Sequence, residues 1–214
     1  MLIDFHCHLV SINAIYCTAQ PQKLQENNEC LLYCQGLLPQ YWTAQRQEFL
    51  LQNLKEPFLQ LGEVGLDKRY EKQVSLQAQE ENLLTLLATA SKLDKIVTLH
   101  SVKATERTIK ILNQVQSKPW KVIWHGFTGS LETAMLLYKM GIFISIGPRY
   151  KLENLKELAK VHPNFVLETD YEGTDQTQYN TLLQSHYQNC AKQLGWDVED
   201  LKEHCYGQAK TLTN

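Results

Sequence analysis

No run of apolar residues in the 214-residue sequence is long enough to cross a bilayer, and no basic segment followed by an apolar stretch opens it. The expectation is a soluble, cytoplasmic protein with no membrane partner. An excess of charge of one sign is also lacking: 21 Lys and Arg stand against 23 Asp and Glu, a net charge of −2. That balance excludes coating of a polyanion by global attraction, so any such partner would have to be held by a local basic patch. The six cysteines, Cys7, Cys17, Cys30, Cys34, Cys190 and Cys205, contain no CxxC pair and lack the density of a secreted disulfide scaffold. They read as reduced thiols. Length and composition predict one domain over residues 1–214, near the lower limit of a (β/α)8 barrel, with a monomer favoured.

What is present is an alternation of strand-like and helix-like segments, the signature of parallel β/α architecture. Strands are expected at Met1–Phe5, Asn13–Cys17, Cys30–Cys34, Phe58–Glu63, Ile96–His100, Lys121–His125, Ile142–Ile146 and Asn164–Glu168. Helices are expected at Tyr41–Lys55, Val74–Leu93, Thr105–Gln116, Leu131–Met140, Leu152–Val161, Gln176–Leu194 and Val198–Leu212. In the second of these, Leu76, Leu83, Leu84, Leu87 and Ala90 recur at helical spacing. The Gln-rich stretch Gln20–Glu29 reads as a loop. Too few residues separate the first two strands for the crossover helix that parallel pairing needs, so either that helix is lost or the second strand is misassigned. The expected fold is α/β, a distorted TIM (β/α)8 barrel lacking the helix between its first two strands.

His6-Cys7-His8 ends the first strand. Alternation places Asp4, His6 and His8 on one face and Ile3, Phe5 and Cys7 on the other, which sets two metal-capable imidazoles side by side. Taken alone, the pair is as readily two hydrogen-bonded polar residues as a metal site. Five of the eight strand candidates, however, end at or just before His or an acid. In a (β/α)8 barrel the carboxyl ends of all strands converge on the catalytic face.

Read together, Asp4-Phe5-His6-Cys7-His8-Leu9, Gly62-Glu63-Val64-Gly65-Leu66-Asp67, Leu99-His100-Ser101, His125-Gly126-Phe127-Thr128-Gly129-Ser130 and Leu167-Glu168-Thr169-Asp170 resemble, in order and spacing, the signatures of the TatD family of metal-dependent hydrolases. The resemblance implies a TIM-like barrel carrying one or two divalent metals, with deoxyribonuclease or exonuclease activity the first expectation. It assigns His6 and His8 to one metal, Glu63 to a bridging position, His100 and His125 to the second metal, and Asp170 to the first metal and its water. Glu63 and Asp170 would be the catalytic carboxylates. Such a mixed N/O shell suits Zn, Mn, Mg, Ni or Fe without selecting among them.

Other residues carry weaker signals. Asp4 reads equally as a group orienting a ligand His or as a barrel-end polar residue satisfied by backbone, and Asp67, in the same turn as Glu63, has the same ambiguity with a loop-stabilising role favoured. Lys103, Phe127, Arg149 and Tyr171, beside the matched motifs, are candidates for contact with DNA or a small phosphoester. His162, His186 and His204 lie away from strand ends and read as structural. The chain also departs from the family pattern. Leu38 stands where a Gly-x-His-Pro signature is usual, Val102 where an Arg is usual, and Tyr171-Glu172-Gly173 replaces the usual Ala-Pro turn. These departures fall on the substrate side and leave open a small-molecule hydrolase of the wider amidohydrolase type, or a metal-binding interaction protein without turnover.

Overall fold

The computed structural model describes residues 1–23, 29–115 and 121–213. Part of the loop expected at Gln20–Glu29 and the last residue of the helix expected at Thr105–Gln116 lie outside the described residues. Strands occupy Asp4–Cys7 (β1), Ala14–Thr18 (β2), Leu32–Leu37 (β3), Leu59–Asp67 (β4), Val97–Val102 (β5), Val122–Trp124 (β6), Phe143–Ile146 (β7) and Phe165–Leu167 (β8). Helices occupy Ala44–Asn53 (α1), Leu76–Lys92 (α2), Thr105–Gln114 (α3), Leu131–Lys139 (α4), Leu155–Val161 (α5), Gln176–Leu194 (α6) and Val198–Thr213 (α7). The eight strands follow one another in a single sheet in the order β1 to β8, the strand order of a (β/α)8 fold. The expected second strand is real. It is the first helix that is missing, because residues 8–13 join β1 to β2 without one.

Local chemistry explains where the helices start. Thr43 accepts the Arg46 N–H, Ser75 the Ala78 N–H and Ser130 the Thr133 N–H, so α1, α2 and α4 each begin just after a hydroxyl cap. Asp175 caps α6 through the N–H groups of Thr177 and Gln178, and Gly195 ends it in the left-handed conformation at φ +73°. Two helices are shorter than expected because 3-10 turns, Pro39–Tyr41 and Leu152–Asn154, take the residues in front of α1 and α5. No helix among the described residues is long and apolar enough to cross a membrane.

The chain divides into two compact units. The first holds β1, the start of β2, nearly all of β6, then β7, β8 and α4 to α7. In it β1 runs parallel to β2 with Asp4 opposite Ala14 and Cys7 opposite Tyr16, a step of three residues against two that marks a bulge at Phe5–His6. Two backbone bonds tie the end of β1 to the segment after β8: His8 N–H to Tyr171 O at 2.9 Å and Asp170 N–H to His6 O at 3.0 Å. Phe5, Ile144, Val166 and Tyr187 are fully buried here.

The second unit holds β3 to β5 and α1 to α3. The register of β4 slips against both neighbours, between Leu61 and Val64 on the β3 side and between Gly62 and Val64 on the β5 side, so Glu63 sits in a bulge. β4 also runs four residues past Glu63. Asp67 therefore lies on the strand, opposite Val102, and not in a turn beyond it. The extension depends on Gly65: a Cβ there would lie 1.8 Å from the His100 carbonyl oxygen, so only glycine lets β4 approach β5 this closely.

Candidate metal centre

In the first unit the ends of β1 and β8 bring together His6, His8 and Asp170, whose ligand atoms all lie within 4.8 Å of one another. The Nε2 atoms of His6 and His8 are 3.5 and 3.7 Å from Asp170 Oδ1. Asp170 adopts φ +52°, a left-handed conformation that few residues tolerate but that Asp accepts more readily than most. That turn, held by the Asp170 N–H bond to His6, aims the carboxylate back at the two rings. Burial alone would raise the Asp170 pKa, yet the adjoining His6 and His8 rings outweigh it and hold the carboxyl well below the usual range. His125, just beyond β6, joins this group, its ring centroid 4.2 Å from that of His6. Two imidazole nitrogens and a carboxylate oxygen at this spacing are a donor set that fits a divalent cation.

Asp4 resolves toward the backbone reading. Its Oδ1 accepts the N–H groups of His6 (3.2 Å) and Thr169 (2.9 Å), and its Oδ2 accepts the Thr169 hydroxyl at 2.5 Å. It cross-links β1 to the segment carrying Asp170. Burial pushes its carboxyl up to about 7 against these hydrogen bonds. Glu168, fully buried, accepts a bond from the Ser145 hydroxyl and lies 3.6 Å from His125 Nδ1. Sequence reasoning gave it no role, although it stands inside the motif that carries Asp170.

A cavity of about 200 Å³ adjoins Asp170, with Phe127, Arg149, Tyr150, Glu168 and Leu182 among its walls. Phe127 is buried and acts as wall rather than exposed platform. The largely exposed Arg149 is seated on Asp170, with Nη2 donating to Oδ2. Tyr171 is tied down through its carbonyl to His8 and through its hydroxyl to Asp175 O at 3.1 Å.

In the second unit Glu63 and His100 meet, with His100 Nδ1 2.6 Å from Glu63 Oε1. The same ring turns Nε2 to Asp67 Oδ2 at 3.2 Å. Asp67 is held by Arg69, whose Nε lies 3.0 Å from each carboxylate oxygen and whose backbone N–H reaches Oδ1 at 2.9 Å. Burial works against ionisation of Asp67, but the contacts from His100 and Arg69 prevail and keep it below the usual carboxylate range. Asp67 thus caps the turn after β4 through Oδ1 and faces the His100 ring through Oδ2. Lys103 is exposed at the end of β5 with φ +53°. His162, His186 and His204 each bond a backbone carbonyl, of Ile142, Ile146 and Phe165 respectively, and are structural. Cys7, Cys34, Cys190 and Cys205 are free thiols.

The strand order is that of a (β/α)8 fold, with His and carboxylate groups at its strand ends. The chain belongs to the family described as TatD related DNase, whose model matches residues 10–214. It is 36% identical over 100 residues to an uncharacterized metal-dependent hydrolase of Buchnera aphidicola, a match covering 47% of this chain and 38% of that protein. It is 32% identical over 127 residues to the human deoxyribonuclease TATDN3, covering 56% of this chain and 46% of that protein. These matches therefore span half or less of the length of the two relatives. Among solved structures, YJJV, a TatD homologue from Escherichia coli, superimposes with a TM-score of 0.79 at 18% identity, covering 99% of this chain and 97% of that one.

Proposed function

We propose that residues 1–214 act as one divalent-metal-dependent hydrolase domain of the TatD type that cleaves phosphodiester bonds, with DNA the first substrate to test. The observation that carries this reading is the convergence of His6, His8 and Asp170 at the ends of β1 and β8. Family membership and the deoxyribonuclease name of the human relative support it. In this reading His6, His8, Glu63, His100, His125 and Asp170 hold one or two ions of Zn, Mn, Mg, Ni or Fe. A bound cation would polarise the phosphoryl oxygen and lower the pKa of a water. Asp170, whose carboxylate lies beside the His6 and His8 rings, would accept the proton of the attacking water. Arg149, which rests on Asp170 beside the cavity, is the side chain that would meet a substrate phosphate. Lys103, Phe127 and Tyr171 complete the substrate side. The cysteine pattern, without a CxxC pair, fits a reducing cytoplasm.

A second reading, hydrolysis of a small phosphoester, amide or ester, is favoured by the modest cavity beside Asp170 and by Leu38 and Val102 at substrate-side positions. Turnover of single-stranded DNA compared with a panel of small phosphoesters, across added divalent ions, separates the two. Substitutions His6→Ala, Glu63→Ala and Asp170→Ala are each expected to reduce metal-dependent turnover to background while circular dichroism stays near wild type. Wild-type turnover by the Glu63 or Asp170 variant would defeat the mechanism.

A further inference from the structure

Glu63 and Asp67 are four residues apart on β4, and the ring of His100 on β5 lies between their carboxylates, Nδ1 toward Glu63 Oε1 at 2.6 Å and Nε2 toward Asp67 Oδ2 at 3.2 Å. A neutral imidazole has one N–H and one lone pair, and an ionised carboxylate only accepts. Each ring nitrogen faces a carboxylate oxygen, so in the metal-free chain either can donate. Once a cation takes Glu63 and one ring lone pair, the nitrogen that donates to Asp67 is Nε2 and the one left to the cation is Nδ1. We propose that Asp67 is a positioning residue that fixes His100 as the Nε2–H tautomer, so that the ring meets a divalent cation through Nδ1 beside Glu63. The inference rests on the reading of Glu63 and His100 as metal ligands.

The surroundings of Asp67 are built to keep that carboxylate in place. Arg69 grips both of its oxygens through Nε, and Arg69 Nη2 reaches Oδ2 at 2.5 Å. Gln79, nearly fully buried on α2, fixes the backbone at the same residue: its Oε1 accepts the Asp67 N–H at 2.8 Å, and its amide donates to Asp67 O at 3.2 Å and to Val74 O at 2.9 Å. A residue that merely capped the 3-10 turn Lys68–Tyr70 would need only Oδ1, which accepts the Arg69 N–H. Oδ2 is the oxygen turned to His100. The two roles fall on different atoms, so one substitution separates them. In Asp67→Asn the amide oxygen can still cap the turn, while the amide nitrogen presents a donor to Nε2 and favours the opposite tautomer. A carboxylate that orients a metal-binding imidazole is worth about 10–100-fold in metal affinity.

The test is zinc titration of the full chain, followed at the His100 ring by long-range proton–nitrogen correlation NMR and by competition with a chromophoric chelator. In the zinc-loaded wild type, His100 is expected to keep its proton on Nε2 and to bind through Nδ1. Asp67→Asn is expected to weaken zinc binding at the His100 signals by about 10–100-fold, beyond the stability that the metal-free protein loses with the Arg69 ion pair, which Arg69→Ala measures separately. Arg69→Ala, which leaves the carboxylate present but unbraced, should give a smaller loss and keeps the inference testable if the Asn variant does not fold. Zinc bound through Nε2, or affinity in both variants within twofold of wild type, overturns the proposal while leaving the metal-ligand reading intact. A wild type that binds no zinc at His100 overturns both. Hydrolysis enters none of these readouts, so a failure of the proposed activity registers separately.

Discussion

At the residue scale, Asp170 shows how one backbone choice creates a site. Left-handed φ is costly for most side chains, and it persists here because His6 accepts the Asp170 N–H and because Asp4 holds the neighbouring Thr169 at both its N–H and its hydroxyl. The strain is supported by hydrogen bonds on the preceding residue and on the facing strand. His162 illustrates the contrary, purely structural use of an imidazole. Fully buried, with Nε2 bonded to Ile142 O at 2.9 Å, it has its pKa lowered from 6.5 to about 4, chiefly by burial. The unfolded chain binds the His162 proton more readily than the folded one between those values. Stability from this residue is therefore complete above about pH 6.5 and is lost as pH falls toward 4, by about 3 kcal/mol in all. Urea midpoints at pH 7 and pH 4.5 should show a smaller acid loss in His162→Gln than in wild type. Equal losses in the two proteins would remove His162 as the cause.

At the scale of elements, the bulges in β1 and β4 fall at Phe5–His6 and at Glu63, where ligand candidates stand. A bulge re-aims a side chain without ending the strand. Neither was visible in the sequence, because strict alternation already places His6 and His8 on one face and gives no sign of an extra residue. The close approach of β4 to β5 is likewise a matter of pairing. Gly65→Ala would drive a Cβ to 1.8 Å from the His100 carbonyl, so the strands must separate. The expected penalty is about 3 kcal/mol or more, read as a drop in the urea midpoint, together with weaker metal binding because His100 is displaced. A variant of wild-type stability would mean that β4 can yield locally without disturbing the pairing. Elements were otherwise well anticipated. All eight strands and seven helices occur where periodicity and caps placed them, and shifts of a few residues at their ends follow from Ser75, Thr43 and the 3-10 turns in front of α1 and α5.

At the scale of the whole molecule, a protein whose metal ligands come from separate strands should be stabilised by its metal, since the unfolded chain offers no comparable site. Zinc or manganese at a hundred times its dissociation constant is worth about 2.7 kcal/mol, a rise in melting temperature of about 5–10 °C for a chain of this size. A chelator should reverse the rise, and His6→Ala should abolish most of it. No shift with any divalent ion would count against a metal centre altogether. The balanced charge of the chain, −2 overall, means that affinity for a nucleic-acid substrate has to be built locally. On the proposed reading, Arg149, which rests on Asp170 beside the cavity, would be the cation for that task.

The sequence by itself determined the order of the elements and the identity of the ligand candidates, because residue pattern and motif spacing are local properties of a chain. The choice between a lost first helix and a misassigned second strand fell to the structure. Which nitrogen of His100 faces Glu63, how Gln79 and Arg69 brace Asp67 and how Asp4 clamps Thr169 were decided only by tertiary structure. Those contacts join residues as far apart as Asp4 and Thr169, and a hydrogen bond depends on the direction of its donor, which a linear pattern does not encode. His6-Cys7-His8 was legible as a pair. The resemblance had already grouped Asp170 with it, and what the fold added is the pairing of the first strand's end with the segment after the last, which brings the carboxylate to the two rings.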